Sequence, residues 1–124
     1  MRSKIDKSML IILGLAFFVC IYLIFEWVPP IKAGKTEQIA QRIFYFHVPS
    51  AWLGFLAFFV VFCGSIAYLV TRKRKYELIS VASAEIGVLF ISLVLITGPI
   101  WAKPVWGIWW TWDVRLTSSL ILWL

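Results

Sequence analysis

Ala51-Trp-Leu-Gly-Phe-Leu-Ala-Phe-Phe-Val60-Val-Phe-Cys-Gly-Ser-Ile-Ala-Tyr-Leu-Val70 decides the fold. The stretch carries no charge and matches the roughly 20 apolar residues that a helix needs to cross a bilayer. Upstream, Met9–Phe25 is a second uncharged run, and it reaches Val28 if Glu26 sits at the interface. Downstream, Leu78–Ile96 is a third, with one charge, Glu85. A fourth run begins at Leu116 and stops at Leu124. At about 1.5 Å per residue it covers less than half of a ~30 Å hydrocarbon core. The fold class expected is therefore all-α, a polytopic transmembrane bundle in one integral membrane domain, 1–124. It has full spans near 9–28, 51–70 and 78–96 and an incomplete fourth at 116–124. The chain is expected to be a piece of a longer protein, or to end early.

Composition agrees with lipid as the solvent. Hydrophobic residues make up 62% of the 124 and charged residues 15%, against about half and a quarter in soluble domains. The formal charge of +6 does not point to nucleic acid, because the basic residues sit at helix ends. Arg2, Lys4 and Lys7 precede the first run, and Arg72, Lys73, Arg74 and Lys75 separate the second from the third. These two places share one side of the membrane, and Lys32, Lys35, Arg42, Lys103 and Arg115 fall on the other. The excess of positive charge marks the cytoplasmic side. The amino terminus is then inside, and the 29–50 and 97–115 loops are outside. The first run is too long for a signal-peptide core and lacks a clear A-x-A site, so it reads as an uncleaved anchor.

Other features narrow the function. Cys20 and Cys63 fall inside helices without a C-x-x-C or C-x-x-C-H motif. They read as small buried hydrophobes rather than redox or haem-attachment sites. There is no glycine-rich phosphate loop, so no nucleotide-hydrolysing engine. Pro29-Pro30 is expected to end the first helix and Gly98-Pro99 the third. Pro49 suits the first turn of the second helix, where its missing N–H costs nothing.

The tryptophans lie on one side. Trp27, Trp52, Trp101, Trp106, Trp109, Trp110 and Trp112 map to outer loops or outer helix ends, and Trp123 a little deeper on the same side. Aromatic belts ordinarily mark both interfaces, so the asymmetry points to a surface for something flat and apolar. The densest part is Trp101-Ala-Lys-Pro-Val-Trp-Gly-Ile-Trp-Trp-Thr-Trp-Asp-Val-Arg115. If 106–113 is helical, Trp106, Trp109, Trp110 and Asp113 share a face. Indoles would suit a porphyrin plate, and Lys103 and Arg115 its propionates. An amphipathic helix resting on the headgroups fits the same spacing. His47, in Phe44-Tyr-Phe-His-Val-Pro-Ser-Ala-Trp52, stands at the outer mouth of the bundle. It reads either as an interfacial histidine with satisfied hydrogen bonds or as an axial ligand for haem iron.

Here a resemblance becomes specific. Trp101 to Ser118, with its Trp-Gly-x-Trp-Trp-x-Trp-Asp core, resembles the WWD signature of the haem-handling C protein family of the cytochrome c maturation system. Lys103-Pro104 before the core and Arg115-Leu-Thr-Ser118 after it favour this family over the related haem lyases and cytochrome c synthases. His47-Val-Pro49 also matches, and the resemblance covers nearly the whole chain. It implies six membrane helices and haem b held transiently as cargo at the outer face of a bacterial inner membrane. It implies His47 as one axial ligand of the iron, with a second histidine beyond Leu124. Trp106, Trp109, Trp110 and Trp112 would pack the porphyrin, and Asp113 and Arg115 would orient the loop or a partner. The partners implied are a periplasmic haem chaperone (the E protein), ABC-transporter-like A and B subunits, a small D subunit and membrane lipid. No covalent reaction is expected, so the chain would not be an enzyme.

Glu85 departs from the resemblance, which implies an apolar stretch there. A carboxylate within a span is costly and a functional candidate, unless it lies close enough to the inner interface to stay hydrated. A second hypothesis uses it as the proton carrier of a small proton-coupled multidrug exporter. A third is a structural subunit that docks a partner through the tryptophan loop.

Overall fold

The computed structural model describes residues 2–31 and 34–124; Lys32, counted among the outward basic residues, lies outside them. The chain is an all-α bundle. Helix α1 spans Arg2–Tyr22 and runs into a π-helical turn, Leu23–Trp27. Helix α2 spans Lys35–Thr71, α3 Arg74–Trp106 and α4 Val114–Trp123. Among the described residues, three helices are long and apolar enough to cross a membrane.

Helices α2 and α3 form one long antiparallel hairpin. The turn is short because Arg72 takes a left-handed conformation (φ 54°) and its N–H bonds Tyr68 O at 2.7 Å. Between lipid-facing helices the association comes from close packing rather than from a hydrophobic gain, so small residues belong at the contact. Gly54 on α2 faces Ile91 on α3, where an added Cβ would come within 2.8 Å of Ile91 Cδ1. Gly87 on α3 lies under the Phe58 ring of α2 in the reverse sense. Ile91 is completely buried, and Ala57 and Val94 complete the seam.

Two expectations about helix ends are corrected. The second helix does not begin near Pro49. It begins at Lys35, eight residues after the π-helical turn ends at Trp27, with Gly34 as N-cap, and Pro49 is internal. Gln41 and Gln38 bond back to Pro29 O and Ile31 O, and Ile31 N–H to Gln41 Oε1, which ties the incoming loop to this added length. The third helix does not stop at Gly98-Pro99 but continues to Trp106. Proline removes one ladder hydrogen bond, yet a neighbouring helix can hold the geometry. Here Gly98 is buried against α2. The real stop is Gly107 (φ 78°), whose N–H bonds Lys103 O while Lys103 Nζ bonds Gly107 O.

At 1.5 Å per residue α2 is about 55 Å long and α3 about 50 Å, well beyond a ~30 Å core. The apolar runs 51–70 and 78–96 lie inside these longer rods. The Lys35 end of α2 and the Trp106 end of α3 therefore overhang together. Among the described residues, helix α1 touches the other helices only through its π turn. There Phe25 meets Phe46, with ring centroids 6.4 Å apart, and Arg42 lies 5.2 Å from the Phe25 ring. Helix α4 returns along α3, where Trp123 Nε1 donates to Ser92 Oγ at 2.8 Å.

Candidate functional site

The overhang carries a cleft of about 220 Å³ between α2, the end of α3 and the start of α4. His47 and Phe44 come from α2, Gly98, Trp101 and Trp106 from α3, and Asp113, Arg115 and Leu116 from the turn into α4. The cleft exists because both long helices continue past their prolines. Pro49 lies two residues after His47, and Pro99 two after Thr97 and one after Gly98, the residues that His47 meets.

His47 is half-buried, with Nδ1 2.8 Å from Thr97 Oγ1. Its Cε1 lies against Gly98, where an added Cβ would approach to 3.4 Å. Trp101 and Trp106 meet edge to face, centroids 5.1 Å apart. The Arg115 guanidinium sits 5.5 Å from the Trp106 ring, a cation over an aromatic face. The cleft thus joins an imidazole, an aromatic wall and a cation.

Asp113 has an identifiable local task. It caps α4, accepting from the Arg115 N–H at 2.8 Å and the Leu116 N–H at 3.0 Å, which satisfies amides that a helix start leaves open. Thr111 Oγ1 donates to its other oxygen at 2.6 Å. The Thr111 hydroxyl first, then the Leu116 and Arg115 amides and the Arg115 charge, hold the Asp113 carboxyl below the usual carboxylate range. The Arg115 ion pair is loose, 3.7 Å with Arg115 77% exposed, and exposed pairs of this kind contribute little.

The segment after Gly107 is not helical, so the shared face of Trp106, Trp109, Trp110 and Asp113 does not form. His47, Trp106, Asp113 and Arg115 are brought to one cleft. Trp109, Trp110 and Trp112 are not among its walls. Trp109 lies under Lys103 at 5.9 Å, and Trp110 meets Trp112 edge to face at 5.7 Å, with Trp112 77% exposed. Trp110 Nε1 is buried with no hydrogen-bond partner among the described residues. Sequence reasoning overlooked Phe44, Trp101 and Thr97. Trp101 carried a signal, since it opens the tryptophan segment; Thr97 carried none. Glu85 stands exposed on α3, away from this cleft.

Among the described residues no three His, Cys, Asp or Glu side chains gather to hold a metal ion. A bare ion usually needs three or four protein ligands. An iron already ringed by a macrocycle needs only axial ones, and a single imidazole can be one of them.

The model of the family described as "Heme exporter protein C" matches residues 1–124. The heme exporter protein C of Escherichia coli K12 is 45% identical over 92 residues, covering 73% of this chain and 37% of that protein. That of Bradyrhizobium diazoefficiens is 43% identical over 83 residues, 67% of this chain and 32% of that one. A ccmC-like mitochondrial protein of cytochrome c biosynthesis from Marchantia polymorpha is 40% identical over 114 residues, 90% of this chain and 49% of its own length. The chain thus spans about half or less of the length of these relatives.

Proposed function

The chain belongs to the heme exporter protein C family, and on that premise we propose that it binds haem at the outer face of the membrane and presents it to a periplasmic haem chaperone for cytochrome c maturation. Haem b is cargo here, held and released without a covalent reaction, so the chain is a carrier component and not an enzyme. Its amino terminus is cytoplasmic and the cleft faces outward. ABC-transporter-like A and B subunits and a small D subunit work beside it.

The observation that carries this reading is the convergence of His47, Trp106 and Arg115 on one cleft from three parts of the chain. His47 gives the iron an axial nitrogen. Trp101 and Trp106 give the porphyrin an apolar wall, and Arg115 meets a propionate. At about 220 Å³ the cleft is smaller than the roughly 300–1,000 Å³ of ligand-enclosing pockets. It grips one edge of the plate and leaves the rest accessible, as a carrier that hands on its cargo requires. Trp109, Trp110 and Trp112, outside the cleft walls, supply an aromatic surface for the exposed remainder or for the chaperone. The second axial ligand comes from outside residues 1–124.

Haem titrated into the purified protein in lipid nanodiscs tests the reading. The wild type is expected to give a shifted Soret band, His47→Ala to weaken and move it, and Trp106→Ala to lower haem content with less change in position. A spectrum and haem content indifferent to His47→Ala would contradict it.

A further inference from the structure

We propose that Thr97 is a positioning residue that fixes the tautomer of His47, leaving the Nε2 lone pair free for iron; this rests on the reading of His47 as the haem ligand.

The Thr97 hydroxyl has one hydrogen and two close oxygen or nitrogen neighbours. Oγ1 lies 2.7 Å from Leu93 O, one helical turn back, and 2.8 Å from His47 Nδ1. A carbonyl oxygen has no proton to offer. If the hydroxyl hydrogen pointed at His47, two oxygen lone pairs would face each other at 2.7 Å. The hydroxyl therefore donates to Leu93 O, the usual back-bond of a helical threonine. Its oxygen is left as an acceptor, and the imidazole must donate to it through Nδ1–H. A neutral imidazole carries one N–H, so Nε2 holds the lone pair. His47 has no other hydrogen bond among the described residues.

Gly98 completes the seat. It follows Thr97 directly, and its missing side chain lets Cε1 lie against the α3 backbone. The ring is held at one nitrogen by Thr97 and along one edge by Gly98, while His47 lines the cleft shared with Trp106 and Arg115. Metal-bound histidines generally donate their second N–H to a partner that sets tautomer and orientation, and losing that partner costs about 10–100-fold in affinity. The nature of the partner matters as well. A carboxylate would draw the Nδ1 proton strongly and make the imidazole a firmer iron ligand. A neutral hydroxyl orients the ring with less added basicity, which suits a ligand that must let go.

The chain has a single histidine, so histidine-selective 15N labelling reports on one ring. In nanodiscs without haem, the 15N shifts of the wild type at pH 8 are expected to show Nδ1 protonated and Nε2 bare. Thr97→Val keeps the shape but removes the acceptor. It should move the population toward the Nε2–H tautomer and weaken haem binding about 10-fold or more, and Thr97→Ser should restore both. A wild type dominated by Nε2–H would overturn the proposal, as would a Thr97→Val protein unchanged in both tautomer and haem affinity. Haem binding indifferent to His47→Ala would instead overturn the ligand reading, and with it the role given to Thr97, even with the tautomer as expected.

Discussion

The middle of the α2–α3 hairpin and its overhanging end use the same packing device for different ends. In the middle, Gly54 receives Ile91 and Gly87 receives Phe58. At the overhang, Gly98 receives His47. A residue without a side chain faces a large one in all three places. Where the large residue is apolar, the helices close and the contact only stabilises. Where it is a histidine with a hydroxyl partner in the adjoining helix, a looser approach, 3.4 Å to an added Cβ against 2.8 and 3.0 Å in the middle, seats a polar ring beside an open cleft. What separates structural from functional packing here is the chemistry of the inserted side chain, not the shape of the seat.

Substitutions at the two places should therefore separate stability from binding. Ile91→Ala breaks the middle. Ile91 has no exposed surface, and emptying such a site typically costs about 2–5 kcal/mol. Denaturant unfolding in mixed micelles should show that loss, while the protein that remains folded keeps its haem affinity. Gly54→Val forces the middle apart, since its first added carbon meets Ile91 Cδ1 at 2.8 Å; overpacking of this kind costs about 1–3 kcal/mol. Thermal scans should again fall without a change in the haem spectrum of the folded fraction.

Gly98→Ala works the other way. Its Cβ would stand 3.4 Å from His47 Cε1, at the edge of ordinary contact, so the ring need move little to admit it. Tm should move little, and haem affinity should drop several-fold, read by Soret titration. A large loss of stability with unaltered binding would erase the contrast between the two seats.

Asp113 gives the mildest effect and a sign for pH. Its carboxyl is held below the usual range, chiefly by the Thr111 hydroxyl. Its contribution to the start of α4 is therefore present above the ordinary carboxylate pKa. It is lost as pH falls through the lowered folded value. Protection of the Arg115 and Leu116 amides, taken relative to the intrinsic exchange rate at each pH, should fall on acidification, and Asp113→Asn should reproduce part of that loss at neutral pH.

Much of this was legible in the residues. Apolar runs at 9–25, 51–70 and 78–96, charged only at Glu85, mark the three long helices because lipid leaves the backbone no alternative. The overhang was harder. Lys35–Gln41 is too polar to read as part of a span, so by sequence the first turns of α2 look like loop. Gly98-Pro99 reads as a stop by local rules, and only the contact of Gly98 with His47 shows why the helix survives it. The tryptophan segment stands out in composition but not in shape. Gly107 ends α3 in a left-handed turn, which keeps Trp106 on the cleft and turns the next tryptophans away from its wall. Thr97 was invisible, since a threonine in an apolar run becomes informative only once its hydroxyl is seen between Leu93 O and His47.

The central claim is that His47 ligates haem iron from the overhang. The most direct test is to replace it with glycine and return the missing ligand as free imidazole. His47→Gly protein in nanodiscs is predicted to lose the wild-type Soret position and regain it as imidazole is added. A His47→Gly protein that keeps the wild-type spectrum without imidazole would contradict the claim.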